Sequence, residues 1–538
     1  MSRSREVIPV ANEVIARITE QVSGAGWVRS RSPQEVVLEF LYQESLRQRR
    51  DGSTLAERRF LESIQRRFPK ATVAVQRQLI EEITRRYVAE ICANFDKLVP
   101  RIVHRGVPAG FRAVFSTLYP IASLDSLWEG GRGEPMVIEG EVELVRKLVK
   151  KGSVVFMLTH QTNADALLFS ASLRRMRFPP VAHPASKSYV ENPLVRYMFG
   201  ANPAWTVDRS RTDPLYYEAV HEFSAVLAES GFPQFYFPII ERAASGALPA
   251  VFNRKVFSPA LSAFRNQLRL GIHRPVFVIP VTLNYPFVLE AELLADEWVD
   301  GSNFSANAPD AFQDPARWIA YVRSLFSIGT QMRVRFGQPL DVLGNPVNEQ
   351  GASIGSPGRL IDPGDYFRVN GEYYEDLARD LEYLSCLAHG VHRGLRQQTV
   401  VYPVHVLAYA LFHKFWDPER SPDWRRFLHG LEMRRPSVDE DELRKAVGLV
   451  LEQLARLAAD GEIVLDPSVA SLREDRVFEL GVRVLTSVHK RPVIRREDQR
   501  VSVASPRVLF YYRNRLDGYG LFGHEPLVER ECLYRNQD

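Results

Sequence analysis

The sequence predicts an α/β domain, in which helices cover a central sheet, with a helical region on either side of it. Strand-length apolar runs alternate with helical patterns after about residue 103, whereas amphipathic helical patterns dominate the first hundred residues and return near the end. The chain has 538 residues, of which 45% are hydrophobic and 25% charged, so disorder, collagen and coiled-coil rods are excluded as its overall class. We therefore expect three regions: helical 1–102, α/β 103–345, and a connector with a helical extension over 346–538.

The first region contains a clear helix start. Ser32-Pro33-Gln34-Glu35 is a capping box with proline at the first helical position. Helical patterns follow over 55–68 and 73–91. An earlier amphipathic segment with Val14 and Ile18 would either lie on a bilayer or pack on protein, and packing is the more frequent outcome for a short helix.

The middle region predicts a sheet with helices on both faces. Its expected strands are 153–158, 205–207, 235–240, 276–283 and 333–336. Its expected helices are 142–149, 164–176, 216–230 and 316–325. A segment rich in glycine, proline, asparagine and serine over 343–365 reads as a connector, and helices are expected again over 377–395, 404–415 and 439–459.

Composition limits the partners and the compartment. The three cysteines, Cys92, Cys386 and Cys532, are too far apart for a disulfide framework or a zinc site, which favours a reducing compartment. A net charge of +4 is too small to indicate nucleic acid. No secretory apolar segment follows the first residues, and the longest uncharged run, 397–413, is too polar to span a bilayer. We expect a cytoplasmic protein that touches a membrane at most at its surface.

Short arginine clusters would suit anionic lipid or phosphate, although solvated helix faces are the more common explanation for such a pattern. The clusters are Arg47/Arg49/Arg50, Arg66-Arg67, Arg174-Arg175 and Arg495-Arg496.

His160 and Asp165 are the first candidates for chemistry. They directly follow the predicted strand 153–158, and a helix is expected to begin near Asp165. Proteins of the α/β class place reactive groups just beyond the carboxyl end of a strand. The helix dipole favours an anionic aspartate, which can accept a hydrogen bond from one imidazole nitrogen and leave the other as a base for a hydroxyl. The spacing alone is weak, because about one HxxxxD is expected by chance in such a chain.

The surrounding motifs strengthen this hypothesis. HQTNAD at 160–165, AWTVDRSR at 204–211, VIPVTLNY at 278–285 and VRFGQPL at 334–340 follow one another in a fixed order. In this order and spacing, residues 138–340 resemble the glycerol-3-phosphate acyltransferase family, within the wider lysophospholipid acyltransferase superfamily. A weaker similarity continues in the C-terminal helices. The resemblance implies an acyltransferase-like α/β domain in which His160 and Asp165 are catalytic.

The third motif of the family departs most from its pattern here. Where the family has aromatic-x-Glu-Gly-Gly-Arg-Ser-Arg-x-Gly, this chain has FPIIERAASG at 237–246. Arg242 and Gly246 keep their positions. Ile239, Ile240 and Ala244 replace the family's glutamate, first glycine and second arginine. Glu241 is displaced by two residues, which on a strand keeps the same face, so it either substitutes for the glutamate or forms an unrelated ion pair.

The resemblance implies a phosphate site made of arginines. Arg209 and Arg242 occupy family positions and would contact the phosphate of the acceptor, since guanidinium groups bind phosphate through paired hydrogen bonds. Arg211 and Lys255 are nearby in sequence and could contribute, although a surface ion pair is the favoured alternative for both. Asp208 stands where many relatives have arginine, which removes a positive charge.

The implied reaction is transfer of a fatty acyl group to the sn-1 hydroxyl of glycerol 3-phosphate, which gives lysophosphatidate for phospholipid synthesis. The donor would be acyl-CoA or acyl carrier protein, and neither a metal nor a redox cofactor is required. The resemblance also implies peripheral attachment to the inner face of the cell membrane. Alternatives are the same chemistry on dihydroxyacetone phosphate, a lysophospholipid or another alcohol, or a non-catalytic relative that binds acyl donors or membranes.

Three other patterns carry less weight. Gly351-Ala-Ser353-Ile-Gly355 fits the GxSxG expression but lies in the connector, so it is rejected as a nucleophile elbow. His389 and His392 have helical spacing but no third ligand, so a packed or solvated pair is favoured over a metal site. Tyr511-Tyr512-Arg513-Asn514 resembles a feature of the family's helical extension, with no chemistry assigned.

Overall fold

The computed structural model describes residues 4–23, 31–93, 136–162, 165–187, 204–238, 243–249, 252–301, 330–416, 423–524 and 526–528. The predicted helix 316–325, the end of the predicted strand 235–240 and the site candidates Glu241 and Arg242 lie outside these residues.

Four helices form the N-terminal region: α1 (Ser4–Ser23), α2 (Pro33–Asp51), α3 (Leu55–Arg67) and α4 (Val73–Cys92). The predicted capping box starts α2, and Thr54 with Glu57 forms another at the start of α3. Helix α1 packs against α4, and its Val14 and Ile18 are completely buried. The amphipathic face around Val14 and Ile18 therefore packs on protein.

A five-stranded mixed sheet forms the centre of the α/β region, in the order β1-β7-β6-β2-β5. Its strands are β1 (Met136–Gly140), β2 (Ser153–Leu158), β5 (Gln234–Tyr236), β6 (Val276–Asn284) and β7 (Met332–Phe336). All neighbours are parallel except β6 and β7. Strands β3 (His183–Ser186) and β4 (Ala204–Val207) form a separate parallel pair. The predicted strand 205–207 therefore exists but is not in the central sheet, and β1 was not predicted.

Helices cover both faces of the sheet, so the predicted fold class is confirmed. They are α5 (Val142–Leu148), α6 (Asp165–Arg175), α7 (Pro214–Glu229), α8 (Ser258–Arg269) and α9 (Ala291–Asp300). Successive residues of a strand point to opposite faces. Phe156 and Ile279 accordingly enter the core shared with the C-terminal region, and Val155 and Val278 enter the core shared with the N-terminal helices.

The C-terminal region contains the predicted helices as α10 (Leu377–Gln397), α11 (Pro403–Phe415) and α13 (Glu440–Ala459). Unpredicted helices are α12 (Trp424–Arg434), α14 (Pro467–Ala470), α15 (Glu474–Ser487) and α16 (Pro506–Arg513). Short strands complete it: β8 (Ser353–Gly355), β9 (Arg359–Ile361), β10 (Arg368–Val369), β11 (Glu372–Tyr373), β12 (Val400–Val401), β13 (Ser437–Asp439), β14 (Val464–Leu465), β15 (Ile494–Glu497) and β16 (Arg500–Val503).

The longest uncharged run corresponds largely to helix α11. Every residue from Pro403 to Phe412 is buried, because α15, α16 and α13 pack around it. In the described part of the chain, no helix combines the length and the apolarity needed to cross a membrane.

Candidate active site

His160 and Asp165 meet at the carboxyl end of β2, the strand between β5 and β6. Asp165 is the first residue of α6, and its Oδ2 lies 3.0 Å from Nδ1 of His160. Asp165 is 0% exposed, whereas the His160 side chain is 15% exposed. The aspartate is therefore inside the protein and the imidazole at the edge of the solvent.

Three further donors hold the Asp165 carboxylate. Its Oδ2 accepts hydrogen bonds from the backbone N–H groups of Gln161 (2.6 Å) and Thr162 (3.0 Å), and its Oδ1 accepts one from the hydroxyl of Tyr285 (2.5 Å). A buried carboxylate needs such donors to offset its lost hydration. With Nδ1–H of His160 also donating, the carboxylate selects the tautomer that leaves Nε2 of His160 unprotonated.

The ring of His160 is held from one side. It stacks on Phe237, which directly follows β5, with centroids 4.1 Å apart and planes inclined by 21°. The backbone N–H of Ala243 donates to the carbonyl oxygen of His160 at 2.8 Å. Within the described structure no protein group bonds to Nε2 of His160, so this nitrogen is available to a substrate.

The loop 243–249 joins the imidazole to the C-terminal region. Gly246 has φ +83°, and a Cβ there would lie 2.0 Å from the carbonyl oxygen of Tyr511. The adjacent Ser245 carbonyl accepts a hydrogen bond of 2.9 Å from Nδ2 of Asn514. Gly246 is therefore required for the close approach of two backbones, which accounts for the glycine at this position without a contact to substrate.

The C-terminal region also reaches the end of β6. Asn284 ends β6, and its Oδ1 accepts hydrogen bonds from Arg515 Nη2 and from the backbone of Val400, both 2.9 Å. The next residue is Tyr285, which donates to Asp165. The hydroxyl of Tyr512 accepts from the backbone N–H of Val288 at 3.1 Å. The segment 511–515 therefore contacts the residues around the His160–Asp165 pair, although no chemistry was assigned to it from the sequence.

The predicted arginines lie in different environments. Arg209 is exposed in the turn after β4 and has no ion-pair partner in the described structure. Arg211 is only 3% exposed, and its guanidinium bonds to Glu44 (2.8 Å) and Glu90 (2.7 Å) of the N-terminal helices. Arg211 therefore forms ion pairs, the alternative that was favoured from the sequence, and these pairs are buried rather than at the surface. Lys255 is exposed.

The weaker candidates gain no chemistry from the geometry. Ser353 is buried in the antiparallel hairpin of β8 and β9, with no helix after it. His392 packs on the ring of Phe252, and burial lowers its pKa to about 4. One group of possible metal ligands occurs in the described residues, Glu218, His221 and Glu222 on α7, and it includes neither His160 nor Asp165.

Residues 140–284 match the family model described as Acyltransferase. The chain carries an acyltransferase domain. The match begins at the last residue of β1 and ends at the last residue of β6, so it includes His160, Asp165 and the loop 243–249. None of the curated proteins compared with the chain matches it significantly. The match supports acyl transfer as the chemistry, in the setting of the lysophospholipid acyltransferase superfamily.

Sequence reasoning missed four side chains of the acyltransferase site. Phe237 and Tyr285 belong to the third and fourth motifs, but no role was assigned to them. Asn284 and Arg515 could not be paired from the sequence, because 231 positions separate them. The available signal was the segment Tyr511–Asn514 before Arg515, which resembles a feature of the family's helical extension but had no chemistry assigned to it.

Proposed function

We propose that the protein transfers a fatty acyl group from an acyl thioester to the sn-1 hydroxyl of glycerol 3-phosphate. The observation that carries this proposal is the geometry of the His160–Asp165 pair inside the acyltransferase domain. The donor is acyl-CoA or acyl carrier protein, and the product is lysophosphatidate.

Nε2 of His160 takes the proton of the acceptor hydroxyl while the hydroxyl oxygen attacks the thioester carbonyl carbon. Asp165 stabilises the positive imidazolium that forms, and Phe237 keeps the ring in one orientation. As the tetrahedral intermediate collapses, the carbon–sulfur bond breaks and the sulfur leaves as a thiol with the proton from His160. The protein is unchanged after one turnover, so neither a metal nor a redox group is required by the chemistry.

Exposure of Arg209 in the turn after β4 makes it available to an anionic substrate, as a member of the acceptor site. We place the protein at the inner face of the cell membrane, because an acyl chain must reach the site from a bilayer or from a carrier. In three of the four arginine clusters at least one member forms an ion pair with a glutamate, namely Arg47, Arg66, Arg67 and Arg496.

The test is acyl transfer to labelled glycerol 3-phosphate from palmitoyl-CoA and, separately, from palmitoyl carrier protein. The wild type is compared with His160→Ala and with His273→Ala, which removes an exposed histidine outside the site. We expect product from the wild type and His273→Ala and a loss of at least a hundredfold in His160→Ala. Equal rates in wild type and His160→Ala would refute the proposed base.

Parallel reactions with dihydroxyacetone phosphate, a lysophospholipid and glycerol identify the acceptor. The highest kcat/KM for glycerol 3-phosphate supports the proposal. A higher kcat/KM for another acceptor would keep the chemistry and replace the substrate. Absence of product with every pair, while acyl-CoA still binds, would favour a non-catalytic binding protein.

A further inference from the structure

Among the described residues, every buried arginine but one contacts a carboxylate. Five arginines of the described structure are buried, and four of them contact a carboxylate: Arg47, Arg211, Arg333 and Arg513. Arg515 is 5% exposed and contacts none among the described residues. Its one hydrogen bond goes to a neutral group, Oδ1 of Asn284. A buried charge normally has a partner of opposite charge, because desolvation otherwise costs several kcal/mol.

The carboxylate that acts electrostatically on Arg515, that of Asp165, already has its own hydrogen-bond donors. Burial is the largest effect on the pKa of Arg515 and lowers it, whereas three nearby tyrosines and the carboxylate of Asp165 act in the opposite direction. Both oxygens of Asp165, however, accept hydrogen bonds from His160, Tyr285 and the backbone. The guanidinium of Arg515 is thus a buried cation, beside the catalytic pair, whose charge no side chain of the described structure neutralises.

Arg515 is held at this position by its neighbours. It lies in the 3₁₀ turn Asn514–Leu516 that follows α16. Asn514 bonds to the loop 243–249 through Ser245, and Asn284 fixes Nη2 of Arg515 at the end of β6. The guanidinium is therefore anchored to two elements of the acyltransferase site, the loop and β6.

We infer that Arg515 binds the phosphate monoester of the acceptor. This inference rests on the proposed function and adds a specificity-determining residue from outside the matched domain. In glycerol 3-phosphate only a three-carbon backbone separates the phosphate from the reacting hydroxyl. In acyl-CoA the whole pantetheine arm separates the phosphates from the thioester, so a cation beside the catalytic pair suits the acceptor and not the donor.

The experiment measures KM for both substrates in Arg515→Met and in Arg495→Met, which removes an exposed arginine of β15. We expect KM for glycerol 3-phosphate to rise about tenfold to a hundredfold in Arg515→Met, with KM for palmitoyl-CoA unchanged. Arg495→Met should resemble the wild type. With glycerol, which has no phosphate, kcat/KM should fall much less in Arg515→Met than it does with glycerol 3-phosphate.

A second measurement does not need turnover. In a His160→Ala background, inorganic phosphate and glycerol 3-phosphate should raise the melting temperature, and the additional change Arg515→Met should abolish this rise. Without ligand, Arg515→Met should melt no lower than its parent, because it removes an unneutralised buried charge. If Arg515→Met does not fold, Arg515→Lys keeps the charge without the paired donors and should show an intermediate rise in KM.

The outcomes separate the two proposals. An unchanged KM for glycerol 3-phosphate in an active Arg515→Met would overturn the role of Arg515 and leave the proposed function intact. A raised KM for palmitoyl-CoA alone would overturn the acceptor assignment in favour of a phosphate of the donor. The wild type could fail to acylate glycerol 3-phosphate while inorganic phosphate still raises the melting temperature and Arg515→Met abolishes this rise. That result would refute the proposed acceptor and support the anion site.

Discussion

The two helical regions that flank the acyltransferase domain differ in whether every buried arginine has a carboxylate partner among the described residues. On the N-terminal side, Arg211 and Arg47 share Glu44, and each has a second glutamate. On the C-terminal side, Arg513 is paired with Asp517, but Arg515 has only the neutral Asn284. A fully paired network holds two surfaces together, whereas an unneutralised buried cation next to a catalytic pair indicates a ligand.

The largest effect on stability should come from removing Arg211 from the ion-pair network on the N-terminal side. Arg211→Met leaves Glu90 without its cation and Glu44 with Arg47 alone, so we expect a loss of about 3–5 kcal/mol in the free energy of unfolding by urea. Arg85→Met is the matched control, because Arg85 forms an exposed pair with Glu81 and should cost less than about 1 kcal/mol. Equal losses in the two variants would contradict the comparison.

The closest backbone contact on the other side is at Gly246. Gly246→Ala should lower the free energy of unfolding by about 2–4 kcal/mol and should also lower activity. The new Cβ would clash with the carbonyl oxygen of Tyr511, and alanine would have to adopt a strained positive φ. Gly271→Ala shares the positive φ but has open space around it, so it should cost only about 1 kcal/mol. Urea unfolding and acyl transfer are measured on both, and similar behaviour would mean that backbone strain alone matters.

The two sides should also differ in their response to acid. Burial lowers the pKa of His413 to about 2, and its Nε2 accepts from the guanidinium of Arg513. The folded pKa is below the unfolded one, so this contribution to stability is present above about pH 6.5 and is lost as the pH falls towards 2. At about pH 5 the loss is about 2 kcal/mol.

The measurement is the change in unfolding free energy between about pH 7.5 and about pH 5. His413→Asn should reduce this change relative to wild type, and His273→Asn, at an exposed position, should not. Glu44 on the N-terminal side should respond only below its ordinary value of 4.5: burial raises its pKa, but hydrogen bonds from Arg47 and Gln48 outweigh this and lower it. A wild type that is equally stable at both pH values would contradict the expected acid sensitivity.

The smallest predicted effect concerns the catalytic pair itself. Tyr285→Phe removes one donor from Asp165 and leaves the other three, so we expect kcat to fall about tenfold with little change in KM. Tyr217→Phe is the control, because Tyr217 is an exposed tyrosine on α7. A rise in KM for glycerol 3-phosphate without a fall in kcat would instead place Tyr285 in the acceptor site.

The predictions from sequence succeeded where the signal was local. The capping box at Ser32, the strand 153–158 and the helix that starts at Asp165 depend on residues close together in the chain, and all three were found as expected. The placement of 204–207 in a separate pair was not predictable, because strand order depends on which edges meet in three dimensions.

The sequence by itself determined the alternation of strands and helices and the place of the His160–Asp165 pair, because both follow from periodicity and from the strand–loop–helix connection. The tertiary structure alone decided which charges are neutralised. Arg211, Arg513 and Arg515 look alike in the sequence, but only folding brings glutamates from α2 and α4 to the first and leaves the last beside Asn284. The physical reason is that the energy of a buried charge depends on partners that are distant in the chain, which no local pattern records.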